Sequence, residues 1–123
     1  MKNFKTMLII TISFIILSPQ LFAHPPGKIE LTFNNETKIL QVEIQHEVRD
    51  SEKHYVNKIE VFLNDELRII QNFKKQVSKV AQKATFLMSE AEVENKIKVV
   101  AYCNIHGKRN KEIIVKPKKP ADQ

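Results

Sequence analysis

One cysteine and four histidines are the side chains of this 123-residue sequence best able to do chemistry. The cysteine stands in the stretch Cys103-Asn104-Ile105-His106-Gly107, which follows the apolar alternation Ile97, Val99, Ala101. Cys103 continues that alternation, so in a strand its sulfur leaves the sheet on the core side, where the strand gives way to a turn. A thiolate and an imidazole separated by two residues on a tight loop can hold one metal ion between them. A buried core thiol next to a turn histidine has the same spacing. The census of the rest of the chain therefore matters: the other histidines are His24, His46 and His54. Nitrogen and sulfur donors together suit iron, copper and zinc, and do not by themselves choose among them.

The elements that must position these residues are strands. Ile29, Leu31 and Phe33 alternate, Asn34-Asn35 supplies a turn, and Leu40, Val42, Ile44 and His46 then share one face. Glu47 to Lys53 reads as a charged loop. Tyr55, Ile59, Val61 and Leu63 resume the pattern before an Asn64-Asp65 turn, and Leu67, Ile69 and Phe73 form the return strand. Lys74 to Lys83 is polar, with little periodicity, and reads as a crossing between sheets. Ala84, Phe86 and Met88 make a short strand, Ser89 to Asn95 an acidic connection, Ile97 to Cys103 the next strand and Lys111 to Val115 the last. About seven short strands without an amphipathic helix predict an all-β, immunoglobulin-like antiparallel β-sandwich. With only two glycines, the chain must turn through Asn, Asp and Pro.

Residues 1–23 have a different character. Lys2 and Lys5 precede the apolar run Met7 to Leu17, and Ser18-Pro19-Gln20-Leu21-Phe22-Ala23 follows, which is the pattern of a secretory signal peptide cut after Ala23. An uncleaved amino-terminal membrane anchor is the alternative. Cleavage would leave 100 residues, 24–116 as one domain with a modest core and 117–123 as a basic tail, and would make His24 the first residue. The predicted destination is the periplasm or the extracellular space. A lone cysteine exported there cannot form an internal disulfide, so it must be buried, ligated or paired with another chain. The formal charge of +6 does not point to nucleic acid, because the lysines are spread along the chain and few aromatics could stack on bases.

Cys103-Asn104-Ile105-His106-Gly107, the segment His46 to His54 with the following Tyr55-Val56-Asn57-Lys58-Ile59-Glu60-Val61, and the early His24-Pro25-Pro26 resemble the iron-binding domain of superoxide reductases, the desulfoferrodoxin and neelaredoxin family. The resemblance spans the whole segment from residue 24 onward. It implies a mononuclear non-haem iron held by four equatorial imidazoles, His24, His46, His54 and His106, with the Cys103 thiolate axial. It also implies superoxide as substrate and an external electron donor such as a rubredoxin-like protein, since the chain has no second, four-cysteine site. Two departures stand out. The family usually spaces its middle histidines by six residues, whereas His46 and His54 are eight apart, and the family's Glu-Lys pair before the first histidine is replaced by Phe22-Ala23. Cations that could take the lysine's place are Lys28, Lys53 in Glu52-Lys53, and the α-amine of a mature His24.

The chemistry can be argued apart from the family. Superoxide reduction needs one electron, two protons and an open coordination position. Neutral imidazoles leave a ferrous centre electron-poor, and a trans thiolate pushes density toward the open side. Two other function classes fit the same residues: a copper-binding sandwich chelating through an amino-terminal His24, and a metal-free binding module. The oligomeric state is not encoded in any feature of the sequence.

Overall fold

The computed structural model describes residues 24–120. The signal-peptide reading falls on residues 1–23, and the end of the basic tail on 121–123, outside the described residues. Seven strands follow one another: β1 (Ile29–Asn34), β2 (Ile39–Gln45), β3 (Val56–Leu63), β4 (Glu66–Asn72), β5 (Ala81–Leu87), β6 (Lys96–Cys103) and β7 (Lys108–Ile114). They form two antiparallel sheets, ordered β1-β2-β5 and β4-β3-β6-β7. This is the all-β sandwich that the alternation predicts.

The alternating residues make the core. Leu40, Val42 and Ile44 of β2, with Ile29 and Phe86, are buried together with Ile59, Val61 and Leu63 of β3 and Ile97, Val99 and Ala101 of β6. Each of these Val, Leu, Ile and Phe side chains, taken fully out of water, contributes roughly 1.5–3 kcal/mol. The two central strands of the larger sheet, β3 and β6, are buried at every second residue, whereas β4 and β7 at its edges are mostly exposed.

Several boundaries differ from the sequence pattern. β7 begins at Lys108, not Lys111, because Lys108 to Asn110 pair with Tyr102 to Val100 through the main chain while their side chains stay exposed. A charged edge strand carries no apolar alternation to read, and its charges discourage pairing with another chain. β5 begins at Ala81, not Ala84, since Ala81 and Gln82 are both buried and break the alternation. β4 ends at Asn72; Phe73 donates its N–H to the Asn57 carbonyl and packs against the core from beyond the strand.

The glycine-poor turns are made as the composition requires. Asn64 and Asp65 take φ of 49° and 68°, the two left-handed residues of a two-residue hairpin between β3 and β4. Register then brings the ends of several strands to one end of the sandwich. β1 runs antiparallel to β2 with Ile29 opposite Ile44, and β3 antiparallel to β6 with Val56 opposite Cys103. The residue before β1, the residue after β2, the residues before β3 and the last residue of β6 therefore share that end.

Candidate metal centre

His46 directly follows β2 and continues its buried face, so its ring is 1% exposed. His24 is carried by the segment that leads into β1. Gly27 N–H donates to the Gln45 carbonyl at 2.6 Å, and Arg109 Nε donates to the Pro26 carbonyl at 2.8 Å, fixing this strap to β2 and β7. His54 stands two residues before β3, at the end of the long charged loop. That loop is ordered by its own hydrogen bonds: Glu52 N–H donates to Asp50 Oδ1 at 2.9 Å, His54 N–H to the Asp50 carbonyl at 2.9 Å and Val48 N–H to the Lys79 carbonyl at 2.8 Å. The eight-residue spacing thus closes into a turn that returns His54 to His46.

The three rings meet. Their centroids lie 5.0 Å apart for His24 and His46, 5.3 Å for His24 and His54, and 4.6 Å for His46 and His54, and the last pair is almost perpendicular at 89°. One ring nitrogen from each lies within 4.8 Å of the other two. Imidazole nitrogens bound to one ion at about 2.1 Å lie about 3.0–4.2 Å apart, so the three rings need only draw together to share a centre.

Cys103 adds the sulfur. It is 8% exposed, and its Sγ is 3.1 Å from His54 Nε2. Donors at right angles on one ion, with bonds of about 2.1 Å to nitrogen and 2.3 Å to sulfur, would be about 3.1 Å apart. Asn104 positions the pair: its Oδ1 accepts from Tyr55 N–H at 2.8 Å and its Nδ2 donates to the Lys53 carbonyl at 3.0 Å. The turn after β6 is closed by Cys103 N–H to the Gly107 carbonyl at 3.0 Å.

His106 lies on that same turn, exposed, and is not among the three histidines whose donor atoms converge. Lys28 is largely exposed and pairs with Glu30 at 2.7 Å, a partner that raises the lysine's pKa by hydrogen bonding and by charge. Lys53 is exposed next to His54 and, among the described residues, makes no salt bridge. Glu52 donates its N–H to Asp50 Oδ1 at 2.9 Å.

The electrostatics keep His54 suited to a cation. Burial holds His54 below its ordinary pKa, and the neighbouring His46 and His24 lower it further by repulsion. A neutral imidazole keeps a lone pair, which is the form a metal needs. Each ring nitrogen of His24 faces a main-chain carbonyl, Nε2 that of Glu47 at 2.8 Å and Nδ1 that of Pro25 at 3.1 Å. A neutral ring has a single N–H, so it satisfies one of these and leaves the other nitrogen as a base. Three imidazoles therefore converge at one end of the sandwich, with the Cys103 sulfur against one of them, and donors of these types suit a transition metal.

Two contributors gave no sequence signal as site residues. Asn104 falls inside the stretch first singled out, but as spacing between the cysteine and the histidine. Gln76 falls in the polar Lys74 to Lys83 crossing, yet is 2% exposed, against His46.

Comparison with known proteins gives the family and the fold. The model of the desulfoferrodoxin family matches residues 22–112. No curated protein matches the sequence. Among solved structures, the fold is similar to that of a superoxide reductase from Giardia intestinalis, with a TM-score of 0.58 and 18% identity over 75% of this chain and 100% of that one. It is also similar to a hypothetical protein from Pyrococcus horikoshii OT3, with a TM-score of 0.54 and 17% identity over 76% and 90% of the two chains. A variant of superoxide reductase (neelaredoxin) from Ignicoccus hospitalis gives 0.50 and 21% over 76% and 82%. At these identities the likeness is one of fold.

Proposed function

Because the chain belongs to the desulfoferrodoxin family, we propose that it is an exported mononuclear non-haem iron protein that reduces superoxide to hydrogen peroxide. The observation that carries this reading is the convergence of His24, His46 and His54, with the Cys103 sulfur 3.1 Å from His54. His106 completes the proposed ligand set from the turn that also carries Cys103. Iron bound there supplies the single electron that superoxide must gain.

The protein's own groups do the rest. Burial and the neighbouring rings disfavour protonation of His54, which keeps its lone pair available. The thiolate of Cys103 contributes electron density, and its recess limits attack on the sulfur by solvent oxidants. Lys53 is the preferred guide for the anion, since Lys28 is paired with Glu30 at 2.7 Å. A mature α-amine on His24, released by cleavage after Ala23, would add a second cation at the rim. Each turnover consumes one superoxide, one electron from an external donor and two protons, and yields one hydrogen peroxide.

Stopped-flow mixing of the reduced, iron-loaded protein with superoxide tests the reaction. One peroxide per superoxide with no dioxygen released is the expected result. Half that peroxide accompanied by dioxygen would mean dismutation and would contradict the reading.

A further inference from the structure

The loop between β4 and β5 sends a single polar side chain, that of Gln76, into the space beneath the histidine cluster. It is 2% exposed and fully engaged. Its Oε1 accepts from Val56 N–H at 3.2 Å and faces His46 Nδ1 at 2.8 Å, while its Nε2 donates to the His46 carbonyl at 2.7 Å and the Ser78 carbonyl at 2.9 Å. These partners fix which way the amide points. A main-chain N–H can only donate, so the atom against Val56 is the oxygen, and carbonyls can only accept, so the atom against His46 and Ser78 is the nitrogen.

The orientation has a consequence for the ring. The oxygen that faces His46 Nδ1 is an acceptor, so Nδ1 must carry the hydrogen, and in a neutral imidazole the lone pair is then on Nε2. A histidine side chain free in water favours the opposite arrangement, with hydrogen on Nε2. Nε2 lies 3.4 Å from the His24 carbonyl, a contact too long to compete with the 2.8 Å one on the other side. His46 is also the most buried ring of the three, so solvent does not exchange its tautomer freely.

We propose that Gln76 is the positioning residue of the metal centre: it sets His46 as the Nδ1–H tautomer, presenting the Nε2 lone pair to the cluster before a metal arrives. It acts through His46 and does not touch the metal. The inference rests on the metal-site reading above. Outer hydrogen-bond partners of this kind typically change metal affinity by about 10–100-fold when removed.

The test uses the full chain, labelled with ¹⁵N at histidine, before and after loading with zinc as the probe. The ring nitrogen signals report the tautomer in the metal-free protein, and competition with a chelator reports the zinc affinity. The wild type should show His46 as Nδ1–H in both states. Gln76→Leu should shift the metal-free ring toward Nε2–H and bind zinc about 10–100-fold more weakly. Gln76→Glu keeps an oxygen opposite Nδ1 but sets its second oxygen against the His46 and Ser78 carbonyls, so it should lose stability yet restore the tautomer and most of the zinc affinity in the folded fraction, a rescue that a purely structural role would not give.

Wild-type His46 with its hydrogen on Nε2 would overturn the proposal. So would an unchanged tautomer and affinity in Gln76→Leu. If that variant fails to fold, the wild-type tautomer and the Gln76→Glu affinity decide. A wild type with the Nδ1–H ring that binds no zinc would instead overturn the metal-site reading, and the role of Gln76 with it.

Discussion

At the scale of single residues, the cluster trades stability for ligation. His54 is held below its ordinary pKa by burial first and by the neighbouring rings second. The unfolded chain therefore binds a proton more readily than the fold does, so the stability from a neutral His54 is whole above about pH 6.5 and is lost as the pH falls through the lower folded value. Urea midpoints of the metal-free protein should fall as the pH is lowered through this range, and His54→Phe should flatten the dependence. An unchanged slope in that variant would place the titrating group elsewhere. The sequence made the candidate ligands legible because each is a rare residue type here, with one cysteine and four histidines in the whole chain. It could not make Gln76 legible. Nothing in Lys74 to Lys83 distinguishes one polar side chain from the next until the fold turns that one inward.

At the scale of elements, the site is held by turns more than by strands. His24 depends on the strap Pro25-Pro26-Gly27, which crosses the turn after β6 so closely that a Cβ on Gly107 would lie 2.8 Å from the Pro25 Cβ. Gly107 also has φ of +80°, which a side chain adopts only with strain. Gly107→Ala should cost roughly 1–3 kcal/mol, read from the urea midpoint, and should weaken metal retention by displacing His24. Full retention with unchanged stability would mean that the strap is free to move aside. Strand alternation made the central elements readable, because β2, β3 and β6 bury every second residue. The edges were less readable, since β7 is held by main-chain pairing that leaves no trace in the side chains. The loop from Glu47 to Lys53 shows why spacing alone misleads: Asp50 folds it back, so two extra residues still bring His54 to His46.

At the scale of the whole molecule, the core and the site are separable. Leu40 is fully buried at the start of β2, and His46 follows the other end of that strand, about 20 Å away at the usual rise per residue. Leu40→Ala should lower stability by roughly 2–5 kcal/mol while the folded fraction keeps its full metal content. Loss of metal in proportion beyond the unfolded fraction would show that the two ends are coupled. The sandwich is thus a frame whose strand register delivers residues distant in sequence to one end, and the chemistry depends on what that end binds. The most direct test is the visible absorption spectrum of the oxidised protein purified with its native metal, taken together with elemental analysis. One iron per chain and a thiolate-to-ferric band that disappears in Cys103→Ser is the result predicted. Stoichiometric copper, no metal at all, or a band that survives in Cys103→Ser would contradict it.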